Sequence, residues 1–313
     1  MTLSLIYYGS GEFGLPSLKH LHTQHEIVAV ISQPDRPAGR KRKLTPTPIA
    51  AWARAHDITL LCADDINEAN CIEKIQQLGA DAAVVIAYGQ KLSPQIVEAS
   101  GRLMVNLHGS LLPKYRGAAP INWAMINGEK QTGVSVISIV ERMDAGLIYA
   151  QAATAIDMTE TGGELHDRLA LMGPTVLDQV LNDFSRGNLC GEQQDEALVT
   201  QSPKLSRADG TVDFTLDAVQ VANRINGLSP WPGVTAVWCN HQGDELTLGL
   251  RRARADIKHT HDSAPGTILP GNLIATGKGA IHLLDVQVPG KRVATLRQFI
   301  NGHPMQPGEQ LRS

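Results

Sequence analysis

The sequence predicts an α/β chain: a parallel sheet covered by helices on both faces, followed by a small β-barrel. Three observations predict it. Short apolar runs alternate with helical patterns through the first half. A polar stretch around residues 189–210 then breaks that rhythm. Beyond it, short strand-like runs are punctuated by Gly and Pro at the spacing of a barrel.

Leu3–Tyr8 reads as the first strand, ending in glycines, with a helix through Leu15–Leu21. Ile27–Ser32 is the second strand. Thr47-Pro48 reads as a helix start, a capping Thr before Pro at the first helical position. Ala82–Ala87 and Leu103–Leu107 are buried strands with a short helix at Pro94–Ala99 between them. Val134–Val140 and Leu147–Ala152 are further strands. Over Gly162–Phe184, the residues Leu165, Leu169, Met172, Val176 and Val180 recur at helical spacing. In the second half, strands are expected at Val234–Cys239, Glu245–Arg251, Gly266–Leu269, Leu273–Thr276 and Ala280–Val288. The expected organisation is a first domain over 1–189, a connection over 190–206 and the barrel over 207–313.

Composition narrows the class. The 313 residues are 42% hydrophobic and 19% charged, the balance of a globular chain. A net charge of -3 excludes a polycation, so any nucleic-acid binding must rest on local positive charge. Cys62, Cys71, Cys190 and Cys239 are scattered without ligand spacing, as expected for reduced thiols and no metal. The strand at Leu3–Tyr8 leaves no room for a signal peptide, and no apolar run approaches the ~18 residues of a membrane span. The expectation is a cytoplasmic, monomeric chain with no membrane partner.

Gly9-Ser10-Gly11-Glu12-Phe13-Gly14 fits G-x-G-x-x-G between a strand and a helix, the setting of a dinucleotide site. The second strand, however, ends at Ser32-Gln33 with no acidic residue for a ribose, and Asp35 follows a proline. An NAD(P)-dependent oxidoreductase and a plain strand–helix turn both stand as readings of this motif.

The segment Val105-Asn106-Leu107-His108-Gly109-Ser110-Leu111-Leu112-Pro113 carries more chemistry. Asn106 and His108 are two apart on a strand and so face one side. They lie at its C-terminal end, where open α/β sheets place ligands. Acyl transfer to an amine needs a donor for the carbonyl oxygen, a group to take the amine's proton and one to return a proton to the leaving nitrogen. Asn106 and a protonated His108 can donate. A carboxylate beside the imidazole would hold its orientation. Asp144, in Met143-Asp144-Ala145-Gly146 between two strands, is a candidate, since that loop can bend back over the sheet. Taken singly, each has a plainer explanation: a satisfied polar strand end, a turn cap, a β-turn Asp before Gly.

Together with Arg116-Gly117-Ala118-Ala119-Pro120-Ile121, this pattern resembles the folate-dependent formyltransferases. The resemblance extends from Gln33-Pro34-Asp35-Arg36-Pro37-Ala38-Gly39-Arg40 through Ala87-Tyr88-Gly89 to Met143-Asp144-Ala145-Gly146. It continues, more weakly, to Asn226-x-x-x-Pro230-Trp231-Pro232 and Ala264-Pro265-Gly266-Thr267-Ile268. It implies a Rossmann-like catalytic domain that uses no NAD and an OB-like barrel that binds tRNA. It implies 10-formyltetrahydrofolate as formyl donor, with Asn106, His108 and Asp144 catalytic. Ser110, Leu111, Leu112 and Pro113 match the folate-contacting segment, and Ile86, Tyr88, Gly89, Gln90 and Leu92 lie along the pterin pocket, largely through backbone. The family commonly carries Gly-Thr-Pro-Asp-Phe at the first turn; here Gly9-Ser10-Gly11-Glu12-Phe13 stands instead.

Members of this superfamily formylate small amines, hydrolyse the folate, or formylate methionine on initiator tRNA. Two features favour tRNA. Arg36, Arg40, Lys41, Arg42 and Lys43 place five basic residues in one loop after the second strand, suited to phosphate contacts; by resemblance Arg40 is the recognition arginine. The tail offers Arg251, Arg252, Arg254 and Lys258, and Lys291 with Arg292, as basic patches on a barrel. A solvated charged loop and ordinary surface charge are the competing readings.

Overall fold

A computed structural model describes residues 1–39 and 42–313. Its first half runs β1 (Ser4–Gly9), α1 (Leu15–Gln24), β2 (Glu26–Ser32), β3 (Arg36–Ala38), β4 (Lys43–Thr45), α2 (Pro48–Ala55), β5 (Leu60–Cys62), α3 (Ala69–Gln77), β6 (Ala82–Ile86), α4 (Pro94–Ala99), β7 (Leu103–His108), β8 (Arg116–Gly117), α5 (Pro120–Ile126), β9 (Gln131–Ser138), β10 (Ile148–Ala155) and α6 (Gly162–Ser185). The second half runs β11 (Gln201–Ser202), α7 (Ala218–Gly227), β12 (Val234–Cys239), β13 (Glu245–Asp256), β14 (Ile268–Leu269), β15 (Leu273–Ala275), β16 (Ala280–Gln287), β17 (Ala294–Thr295), α8 (Leu296–Ile300) and β18 (Gln310–Arg312). Two compact units result. Met1–Gly117, Gly133–Ala153 and His166–Gln201 form one; Ala118–Thr132, Thr154–Leu165 and Ser202–Ser313 form the other.

In the first unit the sheet order is β10-β9-β7-β6-β1-β2-β5. Neighbours from β5 to β7 pair parallel, and β9 pairs antiparallel with β7, His108 lying opposite Ser135. The expected parallel sheet is therefore mixed, though mostly parallel. The chain leaves β7 and re-enters the sheet at β9 from the same end of the strands, which makes the pair antiparallel. Strand direction is not written in a strand's own apolar pattern.

The central strand β1 is buried on both faces, as strands under two helical layers must be. Ile6 and Tyr8 pack with Ile75, Ile96 and Met104 on one side. Local signals start the helices. Thr47 accepts a hydrogen bond from the Ala50 amide at 3.0 Å and Pro48 opens α2; Ser93 caps α4 through the Ile96 amide.

The glycine-rich turn has a packing explanation. Tyr7 is fully buried, and its hydroxyl donates to the Gly14 carbonyl at 2.7 Å. A Cβ on Gly9 would meet the Tyr7 ring at 2.7 Å, and one on Gly14 would meet the Tyr7 hydroxyl. Both glycines let the turn close on this ring.

The second unit is a barrel of order β14-β15-β16-β13-β12-β18, with β17 beside β16. Its ends meet: Ile268 N–H donates to the Glu309 carbonyl and Leu311 N–H to the Gly266 carbonyl, each at 2.8 Å, and Thr267 bridges Gln310. Closure removes free edges. Leu248, Leu250, Ile274, Ile281 and Leu283 fill the interior with Val221 and Ile225 of α7. A reciprocal Asp217–Gln220 capping box starts α7.

The expected basic patch at the start of that barrel is smaller than the sequence implied. Arg251 is half-buried, bonds Gln287 at 2.9 Å, and burial pulls its guanidinium below its ordinary pKa. Arg252 is consumed by Glu164 and Asp285. Arg254, Lys258, Lys291 and Arg292 are exposed. Alternation along β13 turns neighbouring arginines to different faces, which a cluster in sequence does not reveal.

Candidate active site

Asn106 and His108 end β7, beside β6 in parallel register, with Val85 opposite Asn106. They share a side of the strand with Met104, while Leu107 faces the other way, toward Gly173 of α6. His108 is 6% exposed. Its Nε2 lies 2.8 Å from the Tyr115 carbonyl oxygen. A carbonyl only accepts, so Nε2 carries a proton and Nδ1 is the ring nitrogen left for other partners. That nitrogen lies 3.6 Å from Oδ2 of Asp144. The Asn106 carboxamide is half-buried and has no hydrogen-bond partner among the described residues.

The loop between β9 and β10 folds back over the sheet to bring Asp144 to His108. Asp144 has φ +54°, a left-handed conformation that Asp tolerates better than most residues. Its Oδ2 accepts from the Gly117 amide at 2.9 Å. Gly146 is required by close passage: a side chain there would collide with Ser138.

The segment Ser110–Pro113 is held from beneath. Ser110, fully buried, donates to the Lys114 carbonyl at 2.7 Å. Ser135 donates to the Ser110 carbonyl at 2.6 Å and accepts from the Leu112 amide at 3.1 Å. Gln151 donates to the Leu112 carbonyl and to Ser135. Ser135 and Gln151 were not among the sequence candidates. Ser135 had a signal: a polar residue between Val134 and Val136 in a buried run.

After β6, Ala87 and Gly89 take left-handed φ of +47° and +92° and are exposed, while Ile86 and Tyr88 turn inward. The Tyr88 carbonyl accepts from Ser10 at 2.9 Å. Gln90 is spent on the Ile66 amide and the Ala63 carbonyl. Leu92 packs partly buried on the same core. What this loop offers outward is backbone, at the same sheet end as His108.

The basic loop after β2 is a hairpin, not an irregular loop: β3 and β4 pair antiparallel, Arg36 opposite Thr45. Arg36 pairs with Asp64 at 3.0 Å, and Arg42 (φ +47°) and Lys43 are exposed. Arg40 and Lys41 lie outside the described residues. At the hairpin's base, Arg54 of α2 grips both carboxylate oxygens of Asp35 at 3.0 and 2.9 Å.

Residues 190–206, expected as a connection, include a buried side chain. Gln194, 6% exposed, donates to the carbonyls of Asp144 and Gly146, each at 2.8 Å.

Residues 5–181 match the family model described as formyl transferase, and residues 204–304 that described as formyl transferase, C-terminal domain. The chain is 37% identical to a methionyl-tRNA formyltransferase of Geobacter sulfurreducens over 99% of this chain and 96% of that one. It is 36% identical to one from Moorella thermoacetica, over 99% of each. Among solved structures, an N-formyltransferase from Helicobacter canadensis, in complex with folinic acid and dTDP-3-aminofucose, superposes at TM-score 0.67 with 15% identity, over 90% of this chain and 98% of that one. HypX from Aquifex aeolicus with tetrahydrofolic acid gives 0.63 with 16% identity, over 96% of this chain and 47% of the other. At such identities the structures speak for the fold alone.

Proposed function

The chain belongs to the methionyl-tRNA formyltransferase family, and from that premise we propose that it moves the formyl group of 10-formyltetrahydrofolate to the amino group of methionine on initiator tRNA, through Asn106, His108 and Asp144. The observation that carries the assignment is the Asp144 carboxylate 3.6 Å from the His108 imidazole, with Asn106 unpaired two residues earlier. That contact exceeds a hydrogen bond; such contacts are often long in free enzymes and tighten in the complex.

The amino nitrogen attacks the formyl carbon and a C–N bond forms. The carbonyl oxygen becomes negative; Asn106 Nδ2 donates to it, and so does His108 once Nδ1 is protonated, Nε2–H staying on the Tyr115 carbonyl. The bond from that carbon to the folate nitrogen breaks, and the electron pair stays on the nitrogen, which takes up a proton. The attacking amine gives up one proton in the same sequence. The His108–Asp144 pair relays it, so the reaction consumes no net proton.

We assign the folate to the loops after β6 and β7. Exposed backbone at Ala87 and Gly89 would hold the pterin, and Ser110–Pro113, braced by Ser135 and Gln151, would form the opposite wall. Of the sequence candidates, Ile86, Tyr88 and Gln90 contribute scaffold rather than contacting side chains. The exposed hairpin residues Arg42 and Lys43, with Arg40 and Lys41 just before them in sequence, would meet tRNA phosphates. On the barrel unit, the exposed Arg254, Lys258, Lys291 and Arg292 would offer further phosphate contacts. We read 1–189 as the catalytic domain and 207–313 as the tRNA-binding domain of a monomeric cytoplasmic enzyme.

Purified protein with 10-formyltetrahydrofolate is offered methionyl initiator tRNA and a panel of small amines. Transfer to the tRNA alone is expected. Folate turnover with a small amine or water, without formylation of tRNA, would overturn the substrate assignment.

A further inference from the structure

The polar segment between α6 and β11 runs beside the loop that carries Asp144 and is tied to it at several points. Ile148 and Glu192 exchange two backbone hydrogen bonds of 2.8 Å at the loop's end. Glu196 pairs with Arg142, two residues before Asp144, at 2.8 Å. Between these, the Gln194 amide nitrogen donates to the carbonyls on either side of Ala145. Its oxygen accepts from Nε and Nη2 of Arg116 at 3.0 and 2.8 Å. Arg116 is 2% exposed and also holds Glu196 at 2.9 Å. A buried guanidinium thus fixes which end of the Gln194 amide faces the loop: only the NH2 group is left for the two carbonyls.

We infer that Gln194 is a positioning residue for catalysis, holding the Asp144 turn so that its carboxylate stands at His108; this rests on the assignment of Asp144 to the reaction. The turn needs such a hold. Asp144 sits in a left-handed conformation at the end of a loop that must fold back across the sheet. Its side chain is itself anchored only by the Gly117 amide among the bonds described. Two hydrogen bonds from one buried amide, on either side of Ala145, fix the peptide that aims the carboxylate. The side chain bonds Arg116 and the Asp144 and Gly146 carbonyls rather than His108, so it acts through Asp144.

Gln194→Glu separates positioning from folding. A carboxylate keeps an acceptor for the buried Arg116, so the fold survives. It removes the donor and points an oxygen at two carbonyl oxygens, so the turn is released. Misplacement of about 1 Å is worth on the order of 10²-fold in rate. The expected result is a fall in kcat of that order, with KM for folate and tRNA and the melting temperature little changed. Added to Asp144→Ala, Gln194→Glu should cost nothing further, because its effect passes through the missing carboxylate. Wild-type kcat in a folded Gln194→Glu protein, or a full additional loss in the double variant, would overturn the positioning role. Wild-type turnover in Asp144→Ala alone would instead remove Asp144 from the mechanism, a different failure.

Discussion

His108 is placed by two partners of unequal kind. The Tyr115 carbonyl fixes the ring through Nε2, and Asp144 faces Nδ1 at 3.6 Å. Asn106 differs, having no partner among the described residues to lose. Asn106→Ala should therefore lower kcat on the order of 10²–10³-fold, the scale of a lost oxyanion donor, while leaving the melting temperature near wild type. A variant that loses stability and activity in parallel would make Asn106 a scaffold residue. Gly14 offers the opposite case. Gly14→Ala pushes a methyl group against Tyr7 and Ile86 and should destabilise by ~1–3 kcal/mol in urea unfolding, as overpacking does. An unaffected midpoint would mean the turn has slack. Asn106 and His108 were legible because strand alternation puts both on one side. Gln194 was not, since a polar residue in a polar stretch carries no local sign of burial.

At the scale of elements, the hairpin β3–β4 is tied by ion pairs at its root and carries exposed charge beyond them. Arg54 and Asp64 occupy Asp35 and Arg36 at its root, while Arg42 and Lys43 stay exposed. Arg42→Ala with Lys43→Ala should raise KM for tRNA, leave KM for folate unchanged and flatten the salt dependence of tRNA binding, by about 1 in slope per lost phosphate contact. Equal salt slopes in variant and wild type would leave the hairpin without a phosphate role. The helix at Pro94–Ala99 could be read from its sequence because Ser93 and Pro94 mark its start. The hairpin could not: its strands are three residues long and exposed, without apolar alternation. The direction of β9 was equally hidden, being decided by where the chain re-enters the sheet.

Across the whole chain, charge is spent unevenly. Arg252 in the barrel unit is bound by Glu164 at 3.0 and 2.6 Å and by Asp285 at 2.8 Å. Hydrogen bonding from Arg252, outweighing the opposing effect of burial, holds the Glu164 carboxyl below its ordinary pKa. The unfolded carboxyl titrates near ~4.3. The stabilisation is therefore fully present above that value and is lost as pH falls through the lower folded one. Both partners are partly solvated, so Arg252→Gln should cost about 1 kcal/mol at neutral pH and less at pH ~3, read by urea unfolding at both. A pH-independent cost would assign Arg252 to packing. No helix among the described residues is long and apolar enough to cross a membrane. The change of rhythm near residue 190 pointed to the barrel strands beyond it, but not to the inclusion of Ala118–Thr132 and Thr154–Leu165 in the barrel unit. Nor were the hydrogen bonds legible that tie the polar stretch there to the loop carrying Asp144.

We propose that His108, paired with Asp144, carries formyl transfer. The most direct measurement is the single-turnover rate of formyl transfer to methionyl initiator tRNA, with folate and tRNA saturating, in wild type and His108→Ala. The expected result is a loss of 10²-fold or more, the range of general acid–base and oxyanion contributions, with both substrates still bound. A His108→Ala protein that transfers formyl at the wild-type rate would take His108 out of the reaction.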